Sequence, residues 1–376
     1  MERRLQIDWF EVFVMVPSDF DLECLSDHGM TFVEREYGTR IYARMAFIDA
    51  PELGGSFELR FMPKSSAILG VNGAHLKVDN KSCYYLNAAE FCFQVCCELG
   101  FEIQSVSRAD ICTDFLAFDS GIKPQSFIRR VLNGVYRRER NGLRKAIVQE
   151  RWDEVTPNYV SWDDGAIKTR VYDKTLELIQ VGLTEAHKKA YIVAQWVSLG
   201  LLPNPVALYD SAAPHVWRLE FQIQSSSRGW LRDDGSYLPF CIDTFCSPAT
   251  LGELFDALVR THFSFRVYKK GEGVCDCVSV DLVRSAQKFI LHPVCSTSVA
   301  DVTGKFALLK MLSEIDTWSR NPRFASLTDD LRALRESVRR LLDERAGATL
   351  SSDEVERMRK IIREAHIPFD DILAKI

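Results

Sequence analysis

The sequence predicts an α+β protein built on a central antiparallel β-sheet flanked by helices. Three observations carry that prediction. Extended runs rich in aromatic and β-branched residues recur from residue 9 to residue 224. Short turns containing glycine or aspartate join several of them, as hairpins require. Helical patterns alternate with the strands, whose connections are mostly hairpins.

The elements follow in order. "WFEVFVMV" (9–16) is the first strand, and "REYGTR" (35–40) supplies a glycine turn into "RIYARMAFI" (40–48). "SFELRFMP" (56–63) is the next strand. In "LNAAEFCFQVCCELG" (86–100) an asparagine stands where a helix is capped and a glycine where it ends. "FEIQSVSRADICTDFLAF" (101–118) is a long extended run. "KPQSFIRRVLNGVYRRERNGLRK" (123–145) reads as a short helix leading into a basic loop. Residues 157–163 and 167–175 form a hairpin about "DDG", and a helix runs from 176 to about 200 before "LGLLPNP". "HVWRLEFQIQ" (215–224) closes a first domain, 1–224.

Residues 225–376 form a second, more helical region. "CSPATLGELFDALVRTHF" opens with a Ser-Pro helix entry. Another amphipathic helix falls around 304–318. "TDDLRALRESVRRLL" and "SSDEVERMRKIIREA" then place leucines and other apolar residues at helical spacing. These last two helices could pair, dock on the core or dimerise.

With 376 residues, 47% hydrophobic and 26% charged, the chain has the composition of a soluble globular protein. A net charge of −5 argues against coating nucleic acid non-specifically, yet leaves room for a local basic groove. The apolar run near the N-terminus is interrupted by Asp8 and Glu11 and lacks a small-residue cleavage site. No segment has the uninterrupted apolar length of a membrane span, so a cytoplasmic location is expected. The 11 cysteines are odd in number. Cys92, Cys96 and Cys97 read as small buried hydrophobes, and "CDC" (275–277) has no second Cys or His pair at zinc-site spacing.

Candidate chemistry begins with "KTRVYDKTLEL" (168–178). In an extended chain Lys168, Arg170, Tyr172 and Lys174 share one face, a phenol among cations. Arg108, Asp110, Cys112 and Asp114 share a face of "SRADICTD" in the same way. Arg218, Glu220, Gln222 and Gln224 do so opposite Trp217, Leu219, Phe221 and Ile223. If the three strands are neighbours, their acids, cations and tyrosine converge. Asp110, Asp114 and Glu220 would then supply hard oxygen ligands for Mg²⁺ or Mn²⁺. Arg170, Lys174 or Arg218 would neutralise charge on phosphate oxygens, and Tyr172 would be the nucleophile. The product would be a 5′-phosphotyrosine beside a free 3′-hydroxyl. A half-exposed sheet shows the same alternation with no chemistry at all.

The order "SRADICTD", "NYVSWDDGAIKTRVYDKTLE", "HVWRLEFQI" resembles the successive signatures of the Rep_trans family of rolling-circle replication initiators and related relaxases. The matching positions are Arg108, Asp110 and Asp114; then Arg170, Tyr172, Lys174 and Glu177; then Trp217, Arg218 and Glu220. "IDWFEVFVMV" and "RFMPKS" are similar to the family's early strands. The resemblance covers roughly residues 8–224. It implies a Rep-like nicking fold without the paired-histidine HUH motif, and none of the seven histidines forms His-x-His. It also implies a DNA strand transferase with nicking-closing activity, with Tyr172 as nucleophile and Asp110, Asp114 and Glu220 as metal-binding or acidic positions. A single-stranded or hairpin origin, a host helicase and a homodimer are the implied partners. Arg60 and Ser161 depart from the family's pattern. Tyr159 is the competing nucleophile, and His215 stands near the site.

DNA must also be gripped. Arg129, Arg130, Arg137, Arg138, Arg140, Arg144 and Lys145 surround Tyr136 between 129 and 145, a candidate backbone-tracking segment with one stacking platform. A solvated basic helix end reads equally well. "KSCYY" (81–85) offers further aromatics, for which core packing is the better expectation.

Overall fold

A computed structural model describes residues 4–65, 69–139, 143–151, 154–180, 186–225, 227, 229–232, 236–267, 279–280, 282–283, 292–293, 312, 315–316, 319 and 327–343. Two compact units divide the chain, Met1–Val294 and Cys295–Ile376.

The first unit is α+β, as the sequence predicts, around a ten-stranded sheet. Its strands are β1 (Leu5–Met15), β2 (Thr31–Glu34), β3 (Tyr42–Ala50), β4 (Gly55–Pro63), β5 (Gly73–Val78) and β6 (Glu102–Phe115). After β7 (Tyr136–Arg138), which belongs to a small separate sheet, come β8 (Leu143–Arg151), β9 (Glu154–Asp163), β10 (Ile167–Asp173) and β11 (Trp217–Gln224). The order is β2-β3-β4-β5-β1-β6-β11-β10-β9-β8, with antiparallel neighbours throughout. The three strands with mixed-charge faces are therefore adjacent, in the order β6-β11-β10.

Period-two alternation decides which face is dry. Phe10, Val12 and Val14 of β1, Phe57, Leu59 and Phe61 of β4 and Leu219, Phe221 and Ile223 of β11 are buried. Helices cover this side. Ala88–Glu98 brings Phe91 to 6.4 Å from Phe57, and Pro248–His262 brings Phe255 to 5.5 Å from Phe221. Asn87 caps the first of these, accepting from the amides of Ala89 and Glu90, and Gly100 follows at φ 65°. Pro248–His262 and the sheet lie in the same compact unit.

Two expectations need revision. The basic loop after the helix Pro124–Leu132 is largely extended: β7 pairs with residues 265–267, and β8 pairs with β9 at the sheet edge. Charged side chains on edge and short strands hide the apolar alternation that marks a strand in sequence. The helix expected from 176 begins at Lys174 and runs to Gln180, and a second spans Ala186–Ser198. Residues 181–185, the "CDC" stretch and "SSDEVERMRKIIREA" lie outside the described residues.

In the second unit the helix Thr328–Asp343 buries Leu331, Leu334 and Val338, and Arg335 pairs with Asp316 at 2.7 Å. Among the described residues no helix is long and apolar enough to cross a membrane.

Candidate active site

The polar face of β6, β11 and β10 carries the site, and strand register fixes which side chains meet. Arg170 stands opposite Glu220, Tyr172 opposite Arg218, and Asp110 opposite Gln222. On the far side of β10, Tyr159 of β9 faces Tyr172, with ring centroids 6.2 Å apart.

An open cleft of about 650 Å³ lies over this face. Asp8, Trp9, Arg108, Asp110, Tyr159, Lys168, Arg170, Tyr172, Lys174 and Glu220 are among its lining residues. Within it the Tyr172 hydroxyl donates to Glu220 Oε2 at 2.8 Å. Arg170 donates to the other oxygen of Glu220 at 2.8 Å and also to Gln222. Lys174 Nζ donates to Glu177 at 2.7 Å and lies 3.4 Å from the phenol oxygen. The nucleophile candidate thus has an acceptor for its proton and a cation at its oxygen.

Electrostatics refine the roles. Burial pushes the Tyr172 phenol well above its ordinary pKa, and the charge on Glu220 adds to the shift. The phenol therefore keeps its proton at neutral pH despite the neighbouring cations. Glu220 is placed to take it. Burial also raises Asp110 to about 6, opposed by its bond from Arg108 and reinforced by Glu220. Arg108 grips Asp110 with two bonds, at 2.8 and 2.5 Å. Asp110 and Glu220 are thus two buried acids at the cleft that repel one another.

Asp114 and Arg218 share the face but not the cleft. Arg218 is wholly buried, and it donates to both oxygens of Asp114 at 2.6 and 2.8 Å. It also donates to the Tyr84 hydroxyl at 2.9 Å and pairs with Asp8 at 3.1 Å. Trp196 of the helix Ala186–Ser198 donates to Asp114 at 2.7 Å. That helix and the turn Ser82–Tyr84 roof this end of the polar face. Alternation gives the side of a sheet a residue lies on, not what covers it.

The donor set bears on a metal. Among the described residues no group of three or more His, Cys, Asp or Glu side chains is arranged to hold an ion. Asp110 and Glu220 remain as two hard carboxylates lining one cleft, and their repulsion is what a divalent cation would relieve. Mg²⁺ commonly takes one or two protein carboxylates together with substrate phosphate oxygens, so it fits this pair. Asp114, committed to Arg218, does not join them.

The proposed grip divides. Arg129, Arg130, Arg137 and Lys145 are exposed. Tyr136 is 4% exposed, 6.1 Å from Phe127, and accepts from Arg130 at 2.6 Å, so its ring is committed to the core instead of an open stacking surface. Arg138 is buried against Asp164 and the carbonyl of His262, its guanidinium 5.5 Å from the Trp162 ring centre. Arg140 lies outside the described residues, and Arg144 is placed only as backbone of β8. His215 shares a 2.6 Å bond with Asp173, which holds the imidazole above its usual pKa. Asp173 also caps the helix Lys174–Gln180 by accepting from the Leu176 amide at 2.9 Å, so this pair braces the chain just after Tyr172.

Sequence reasoning passed over Trp9 and Asp8. Trp9 lines the cleft with Lys77 Nζ 3.8 Å and Arg108 4.3 Å from its ring centre. A register shift between Ile7 and Trp9 sets Asp8 off the regular pairing. No sequence signal marks that bulge.

Comparison with known proteins places little beside this chain. No family model and no curated protein matches it. Among solved structures, the rolling circle replication initiator protein from Geobacillus stearothermophilus is similar at 13% identity and a TM-score of 0.42, over 73% of this chain and 90% of that one.

Proposed function

We propose that the chain is a rolling-circle replication initiator, a DNA strand transferase that nicks and rejoins one strand through Tyr172. One observation carries the reading. A tyrosine hydroxyl donates to a carboxylate at 2.8 Å inside an open cleft that Lys168, Arg170 and Lys174 also line. The sequence resemblance to Rep_trans initiators agrees with it.

The Tyr172 oxygen attacks a phosphodiester phosphorus as its proton passes to Glu220. The bond from phosphorus to the 3′-oxygen breaks and the departing oxygen takes a proton from water in the open cleft, leaving a free 3′-hydroxyl and a 5′-phosphate on Tyr172. Lys174, beside the phenol oxygen, stabilises the negative charge as it develops. Arg170 holds Glu220 in line through its second oxygen. Asp110 and Glu220 are the residues that would hold Mg²⁺ or Mn²⁺, which when bound would polarise the scissile phosphate. Because the phosphotyrosine keeps the energy of the broken bond, a returning 3′-hydroxyl reverses the steps without ATP. A relaxase of a transferable element would use the same chemistry. Recruitment of a host helicase and action as a homodimer belong to this proposal through the family resemblance.

The test is incubation with supercoiled DNA carrying the cognate origin and Mn²⁺. The expected outcome is nicked DNA covalently attached to protein, and no such species with Tyr172→Phe. Equal nicking by both proteins removes Tyr172 from the mechanism. Tight binding without nicking under any metal makes the chain a DNA-binding protein on this scaffold.

A further inference from the structure

The chain that leaves the cleft at Asn80 carries aromatics that the chemistry at Tyr172 leaves unused. Asn80 lines the cleft, and from it the chain passes through Lys81 into the turn Ser82–Tyr84. Two consecutive tyrosines then part. Tyr84 turns inward, 5% exposed, donating to Asp8 and accepting from Arg218. Tyr85 turns outward, 41% exposed, against Tyr191 of the helix Ala186–Ser198, which is 38% exposed. Their ring centroids are 5.1 Å apart with planes at 35°, and Lys81 Nζ stands 5.6 Å from the centre of the Tyr191 ring.

This arrangement leaves aromatic area in water that burial would otherwise remove. The Tyr85 ring is anchored, since its hydroxyl lies 3.3 Å from that of Ser82. A flat π-surface with an adjacent cation is the combination that takes a nucleobase and its phosphate together. In the segment 129–145 the Tyr136 ring is turned into the core and offers no such surface.

We infer that Tyr85, Tyr191 and Lys81 form a stacking platform for a base of the single DNA strand that enters the cleft, with Lys81 meeting the adjoining phosphate. The inference rests on the nicking reading for its substrate and adds the residues that hold that substrate. Sequence preference is weak at such a platform, because every base presents a π-face.

Fluorescence anisotropy on Tyr172→Phe protein, which cuts nothing, tests this with a labelled oligodeoxythymidylate and with the same strand made abasic. The double variant Tyr85→Ala, Tyr191→Ala is expected to weaken oligodeoxythymidylate binding about 5- to 100-fold while moving the abasic strand by less than about twofold. Phenylalanine at both positions retains the parent affinity. Each single alanine variant shows part of the loss, and thermal melts matching the parent exclude unfolding as its cause. Equal loss on both strands, or loss on neither, overturns the platform while wild-type nicking leaves the reading of Tyr172 intact. A wild-type protein that binds neither strand and nicks nothing overturns both. Unchanged DNA affinity with loss of a protein partner assigns the rings to protein docking and overturns the platform.

Discussion

Replacing Arg218 with methionine removes the guanidinium that pairs with Asp114 beneath the roofed end of the polar face, and the cost follows from the geometry. The guanidinium is wholly buried, makes two bonds to Asp114 at 2.6 and 2.8 Å, bonds Tyr84 at 2.9 Å and pairs with Asp8 at 3.1 Å. Asp8, 13% exposed at its side chain, can turn toward water, whereas Asp114, at 7%, keeps only the 2.7 Å bond from Trp196. Breaking a buried pair from one side costs about 3–5 kcal/mol, a large share of the roughly 5–15 kcal/mol that holds a typical domain. Replacing both partners with apolar residues is often neutral, so Arg218→Met with Asp114→Leu is expected to regain most of that loss. Urea unfolding at neutral pH measures all three proteins. A loss below about 1 kcal/mol for the single variant would be that of an exposed pair and would refute the burial argument. Nicking by the refolded double variant settles the role of Arg218. Retained activity makes it a support of the site, and lost activity in a stable protein returns it to the phosphate, where the sequence assigned it.

Two further outcomes follow from the cleft. Glu220→Gln keeps an acceptor for the Tyr172 hydroxyl but cannot take its proton. Single-turnover nicking should fall about 10²- to 10⁴-fold with little change in DNA affinity, and an unaltered rate would exclude Glu220 as the base. Asp110 has a folded pKa raised from 3.8 to about 6, so its favourable contribution is complete below the unfolded value and fades as pH rises through 6. Between pH 4 and 7 the wild type should lose about 2 kcal/mol relative to Asp110→Asn, read as diverging urea midpoints. Parallel curves would show that Asp110 is not held in a dry site.

The sequence made the sheet's polar face legible because period-two alternation survives wherever one side is buried. Trp217, Leu219, Phe221 and Ile223 against Arg218, Glu220, Gln222 and Gln224 marked β11 without ambiguity. Depth was not legible. Asp110 and Asp114 alternate alike along β6, yet one lines an open cleft and the other lies under Trp196, a residue 82 positions away in the chain. The direction of Arg138 was hidden for a related reason. "YRR" reads as solvated charge until Asp164 and the His262 carbonyl, both distant in sequence, supply its partners. Core packing was the better expectation for Tyr85 and Tyr191 carried no signal, since neither marks a surface until the fold sets one against the other.

Strand β11 also governs when the site can exist. It lies between β6 and β10 in space but follows both in the chain, and it alone carries Glu220. As the polypeptide leaves the ribosome, Asp110 and Tyr172 emerge first, with no neighbouring strand to join them and no acceptor for the phenol's proton. A chain that stops short of Trp217 therefore holds Tyr172 without the carboxylate that its hydroxyl meets in the complete fold. Synthesis itself leaves the cleft unfinished until the last strand of the sheet arrives.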